Sequence, residues 1–148
     1  MTQQPASTKR DDFEFWIIHM DEALDEFFDQ LPEDVRRNLD YSPRSLDVLE
    51  RWLLDHYSGS QALLVPSESK TLDGAARYIG ETFRKTIGGY WTIDLDNPKN
   101  VFFGLPVLTG YRVPTAPITL ATTSTHRRTG TFLRTVLENT AADEQSKT

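Results

Sequence analysis

The chain has 148 residues, 38% of them hydrophobic and 26% charged, with a formal net charge of −6. That length supports one domain with its own core, and that balance excludes an intrinsically disordered chain. The absence of cysteine also excludes disulfides, thiolate metal sites and a cysteine nucleophile.

The ends are polar, so the sequence predicts flexible termini at 1–10 and 141–148 around a single α+β domain at 11–140. No stretch approaches the ~20 apolar residues needed to span a bilayer, and the start lacks a signal-peptide pattern. The expected location is cytoplasmic, without a membrane partner. Charge is unevenly spread: residues 11–40 hold eleven Asp or Glu against two Arg, whereas 97–137 hold Lys99, Arg112, Arg127, Arg128 and Arg134 and no acid. Such asymmetry steers a basic partner to the acidic end. The acidic total weighs against nucleic acid as that partner.

Residues 11–31 predict the first helix. At ~100° per residue, Phe13, Ile17, Met20, Leu24, Phe28 and Leu31 form one stripe, and Pro32 ends it before a short helical turn in "PEDVRRNL". On the same wheel Phe15 lies opposite Leu24, with Ile18 and His19 alongside, and Glu22, Glu26 and Asp29 share that outer side. A Phe and an Ile rimmed by acids have the make-up of an interface with an apolar anchor. Phe15, Ile18, Glu22, Glu26 and Asp29 are therefore candidate partner-binding residues; the competing reading is a helix covered on both sides.

Ser42 and Pro43 open a second helix as N-cap and first helical residue, with Leu46, Leu49, Leu53 and Tyr57 inward. "SGSQALLVPSESK" is a break. A third helix follows, capped by Thr71, with Leu72, Ala76, Ile79, Phe83 and Ile87 on one face and a closing Gly88 or Gly89 in the left-handed conformation. The period then changes to two: "YWTIDL" predicts a strand, "DNPKN" a hairpin connection and "VFFGLPVL" a second strand. Residues 114–128 mix β-branched residues with prolines and stay open between strand, loop and helix. "TGTFLRTVLENT" predicts a last helix with Phe132, Leu133, Val136 and Leu137 inward. The expected fold is α+β: N-terminal helices, a small antiparallel β-meander and a C-terminal helix.

Inside the third helix Gly74 and Gly80 each cost ~0.8–1 kcal/mol relative to Ala, so each predicts close approach of another element to bare backbone. Glu81 pairs with Lys85 at i,i+4, and Arg77 and Arg84 flank it at i−4 and i+3. A carboxylate among three cations suits structural ion pairing rather than proton transfer. Arg77, Glu81, Arg84 and Trp91 form the candidate structural cluster. The segment "YIGETFRKTIGGYW", read as Tyr78–x–Gly80–Glu81–x–x–Arg84, three residues, Gly88–Gly89–x–Trp91, resembles a helix-to-strand segment of several groups of small bacterial proteins. Some of those are similar to immunity and antitoxin-like proteins carried beside polymorphic toxins. The resemblance implies a small bacterial α+β module with a binding role and no catalytic residues.

Other chemistry has little support. His19, His56 and His126 lie on different predicted elements without zinc-site spacing, and "DLDNP" lacks the glycine and terminal Glu of a calcium loop. No P-loop, G-x-G-x-x-G or G-x-S-x-G occurs. In "THRRTGT", Arg127, Arg128, Thr129 and Thr131 stand at a predicted helix start, where free N–H groups favour phosphate or carboxylate; the plainer reading is a capped helix with solvated arginines. No metal and no cofactor is expected. The sequence points to a non-enzymatic cytoplasmic binding protein of bacterial type, most directly an immunity protein that neutralises a toxin with a basic surface. An accessory subunit of a secretion or phage-related assembly, or a small ligand-binding or enzymatic domain, are the alternatives. Nothing in the sequence sets the oligomeric state.

Overall fold

The computed structural model describes residues 6–145, so the expectations for residues 1–5 and 146–148 lie outside it. The chain runs α1 (Ala6–Ile18), α2 (Met20–Asp29), α3 (Glu33–Arg36), α4 (Pro43–His56), α5 (Ser60–Leu64), a 3-10 turn (Pro66–Glu68), α6 (Ser69–Ile87), β1 (Tyr90–Thr92), β2 (Val107–Thr109), α7 (Pro117–Arg127) and α8 (Phe132–Gln145). None of these helices is long and apolar enough to cross a membrane.

The central element is α6. Every residue from Gly74 to Phe83 is buried, because α2, α4, α5, α7 and α8 all pack against it. A helix encircled in this way cannot show only the one-sided stripe that periodicity predicts. Small residues make the encirclement possible. A Cβ on Gly74 would collide with the ring of Phe27, and one on Gly80 with the six-membered ring of Trp91. The close approach predicted at both glycines is present, and each time the visitor is an aromatic ring.

The N-terminal stretch departs from the single helix expected. It breaks at His19 (φ −93°, ψ 19°) into α1 and α2, and α1 begins at Ala6 rather than near residue 11. Arg77 of α6 donates to the carbonyl of Trp16 at 2.8 Å, which an uninterrupted helix would commit to the amide of Met20. A side chain inserted into the ladder kinks a helix. Beyond the break Met20, Leu24 and Leu31 are buried as expected, but Phe27 (2% exposed) goes deeper than Phe28, since it is Phe27 that fills the space over Gly74.

Local signals placed the next helix well. In α4, Ser42 accepts from the Ser45 amide with Pro43 in the first turn, and Leu46, Leu49, Leu53 and Tyr57 are buried. The segment before it is pinned by Tyr78, whose hydroxyl accepts the Tyr41 amide at 2.9 Å and shares a 2.7 Å hydrogen bond with Ser45. Burial raises the Tyr78 phenol above its ordinary value, so it stays protonated in this role.

The sheet is smaller than a meander. It is one antiparallel hairpin, with Tyr90 opposite Thr109, Trp91 opposite Leu108 and Thr92 opposite Val107, extended by a single bridge between Leu108 and Thr115. The ladder stops at Thr92 because Asp94 turns the backbone. Its carboxylate accepts from the Asn100 side chain at 2.8 Å and from the Asp96 and Asn97 amides at 2.9 and 3.1 Å. These bonds, that from Asn100 first, hold the Asp94 carboxyl below its ordinary value and fix the connection expected at 96–100. The second strand, expected from Val101, begins only at Val107 because the turns continue through 101–105. Residues 114–128, left open by the sequence, are mostly the helix α7 started by Pro117. Helix α8 continues to Gln145, past the expected boundary at 140, with Leu133 and Leu137 in the core.

Gly80→Ala should therefore lower stability by about 1–3 kcal/mol, although Ala is the better helix former by ~1 kcal/mol. Chemical denaturation measures this, and a stability equal to or above wild type would show that the Trp91 ring does not constrain the position.

Candidate functional site

An open groove of ≈ 640 Å³ lies between α1–α2 and the corner where α6 meets β1. Phe13, Ile17 and Ile18 of α1 form one wall, Met20 closes one end, and Tyr90 and Trp91 of β1 form the other wall. Glu81 and Arg84 lie between the walls, while Glu14 and Asp21 add two carboxylates.

The candidate structural cluster builds this corner, with altered pairings. Glu81 accepts from Arg84 through both oxygens, at 3.1 and 2.9 Å, and from the indole N–H of Trp91 at 2.9 Å. Arg77 and Lys85 do not join it. Arg77 binds Asp73 at 2.7 Å, donates to the Trp16 carbonyl and lies over the Trp16 ring at 4.1 Å. Lys85 stands over the ring of Tyr41 at 4.9 Å. The expected three-cation cage around Glu81 is thus one cation and an indole. Neighbours at i−4 and i+4 on a crowded helix are drawn to the separate surfaces that pack beside them.

These contacts also hold α1 in place. Trp16 donates to Asp73 at 2.7 Å and meets Trp91 edge-on, with ring centroids 4.9 Å apart. Arg77, only 5% exposed, has its charge balanced by Asp73 and by a carbonyl near the C-terminal end of α1, where the helix dipole favours a cation. One wall of the groove therefore depends on Trp16, and the other on Trp91 seated over Gly80.

The candidate partner-binding residues are all at the surface. Phe15 is 63% and Ile18 76% exposed. Phe15 stacks on His19 at 3.9 Å, and His19 approaches Glu22 at 3.7 Å, so Phe15, His19 and Glu22 are contiguous. Glu26 and Asp29 continue along α2 and make only long contacts, to Lys70 at 3.9 Å and Arg36 at 3.7 Å. Exposed pairs of this length contribute about 0–1 kcal/mol and leave most of the field of these acids facing solvent.

The "THRRTGT" segment assembles as a helix start, but the anion it holds is the protein's own. The amides of Phe132 and Leu133 donate to the carboxylate of Glu50 at 3.2 and 2.9 Å, and Glu50 is fully buried. Arg128 is turned away from any anion: its guanidinium donates to the carbonyls of Leu54 and Tyr57 at 2.8 Å each, closing the C-terminal end of α4. Arg127 lies over the Phe132 ring at 5.2 Å, and the Thr129 hydroxyl accepts the Thr131 amide at 3.2 Å. The expectation of an external phosphate or carboxylate on Arg127, Arg128, Thr129 and Thr131 is corrected accordingly. An internal carboxylate from α4, 83 residues away from Leu133 in sequence, occupies the donors.

Sequence reasoning missed the groove. Phe13 and Ile17 carried the right signal, apolarity at helical spacing, which points inward; Ile17 does pack on the core, and the placement of α1 makes both part of the groove lining. Glu14, Asp21 and Tyr90 carried no signal. Among the described residues no group of three or more His, Cys, Asp or Glu could hold a metal ion. No known protein family, curated protein or solved structure matches this chain.

Glu81→Gln should destabilise by about 1–3 kcal/mol, because it removes the charge facing Arg84 and one acceptor in a buried site. Glu50→Ala should cost at least as much, since it strands two amides at the start of α8. Urea titrations of the two variants check this, and an unchanged midpoint for Glu50→Ala would mean that solvent satisfies that helix start.

Proposed function

We propose that this protein is a non-enzymatic, cytoplasmic binding protein of the bacterial immunity type, which masks a partner such as a toxin by presenting acids and apolar anchors to its basic surface. The observation that carries the reading is the exposure of Phe15 and Ile18 on a helix whose exposed neighbours are acids. Large apolar side chains left in water beside loosely paired carboxylates gain most from a partner that is both apolar and basic. The resemblance of the Tyr78–Trp91 segment to proteins carried beside toxins supports the same reading. So does the internal use of Glu81 and Arg84, which ties the most patterned residues to architecture rather than catalysis.

In this scheme Phe15 and Ile18 are the desolvated anchors, and Glu22, Glu26 and Asp29 provide steering. Co-purification at endogenous levels should yield one basic protein in stoichiometric amount. Reversal of Glu22, Glu26 and Asp29 to Lys should slow its association about tenfold or more at low salt, with a smaller effect once screening shortens the reach of exposed charges to ~8–10 Å. Phe15→Ala should act on the dissociation rate instead. Surface plasmon resonance separates the two effects. A multiprotein assembly in place of the single partner, or unchanged kinetics in the folded triple variant, would overturn the reading.

A further inference from the structure

We infer that the groove between α1 and the α6–β1 corner seats apolar side chains from a basic segment of the partner protein, an assignment that rests on the binding reading above and adds a second anchor site to it. The walls come from Phe13, Ile17, Ile18, Tyr90 and Trp91. At ≈ 640 Å³ the groove falls within the roughly 300–1,000 Å³ of ligand-binding clefts. That is too large for a single ion, and the charge of the lining decides among larger occupants.

Charge identifies the occupant. Among the described residues the one cation lining the groove is Arg84; it is held by both oxygens of Glu81, and that pair is neutral as a unit. Glu14 and Asp21 line the groove without an ion-pair or hydrogen-bond partner among the described residues. The net field in the groove is therefore negative, and it complements lysine or arginine flanking an apolar anchor. Ile18 belongs both to the groove and to the exposed patch with Phe15, so one basic segment can cover both. A second copy of this chain fits poorly, because Asp11, Asp12, Glu14, Asp21 and Glu22 would face their own duplicates, and like charges brought together at an interface are repulsive. Anionic ligands and acidic lipid surfaces fail on the same ground.

The three tryptophans supply the readout. Trp91 lines the groove and Trp16 touches it edge-on, whereas Trp52 packs in the core against Phe27 and Tyr57. In heteronuclear NMR spectra of the full chain, a short amphipathic Leu/Lys peptide should shift the indole signals of Trp91 and Trp16 and leave Trp52 in place. The Leu/Glu counterpart should move none of them. Ile18→Lys, and separately Glu14→Lys with Asp21→Lys, should weaken the Leu/Lys peptide about tenfold or more, while reversal of Glu33 and Asp34, on α3, should not. All of these positions are exposed, so the variants are expected to fold. Equal shifts from both peptides, an unmoved Trp91, or a dimer in sedimentation that Ile18→Lys dissociates would each overturn the assignment. If the groove variants bind the co-purified partner with wild-type kinetics while Phe15→Ala does not, the groove assignment falls and the binding reading stands. If the Leu/Lys peptide binds as described but no partner co-purifies, the binding reading falls and the chemistry of the groove stands.

Discussion

The indole of Trp91 lying on the bare backbone of Gly80 is the contact on which the functional half of the molecule depends. Any Cβ at that position would meet the ring. With the ring seated there, its N–H reaches Glu81 and Trp16 packs against it with the ring planes 78° apart. Glu81 then holds Arg84, and Trp16 brings α1 against α6 with help from Asp73 and Arg77. One glycine in a helix interior, locally unfavourable, thereby sets the position of the hairpin, of the first helix and of the groove between them.

Charged side chains, buried at Arg77 and Glu50 and exposed at Arg128, do a related job elsewhere. Arg77, Glu50 and Arg128 each join elements distant in sequence, and each bonds a backbone group at or near a helix end: a carbonyl late in α1, the first amides of α8, the last carbonyls of α4. Helix ends carry partial charges and unsatisfied groups, so an ionised side chain there finds a complementary partner without needing a second buried ion. A cost follows from desolvating the charge, and this kind of contact specifies which helix meets which more than it adds net stability.

The charge asymmetry of the sequence carries through to the surface. Of the bases in the acid-free stretch, Arg127 lies over Phe132, Arg128 is spent on carbonyls and Arg134 pairs with Asp47 at 3.0 Å. The acids of α1 and α2 are mostly exposed and loosely paired. Lys99, Arg112, Arg127 and Arg128 all stay exposed, so both poles keep charge at the surface, and the net charge of −6 makes the acidic pole the larger. That imbalance favours basic partners over acidic ones.

What the sequence determined by itself was local. The Ser42–Pro43 start of α4, its buried leucines, the run of α6 to its left-handed Gly88, and the need for close neighbours at Gly74 and Gly80 all follow from relations within a few residues along the chain. Capping and helical periodicity are properties of that range, so they can be read without the fold. What tertiary structure alone decided was which distant group each residue would meet. Arg77 found α1 rather than Glu81, Phe27 displaced Phe28 in the core, and the α8 start expected to take a foreign anion took Glu50. Residues 114–128 became largely a helix, Phe13 became a groove wall, and Ile17 lines the groove while also packing on the core. In each case several placements satisfied the local pattern equally, and the choice was made by packing against elements tens of residues away, whose positions no local spacing encodes.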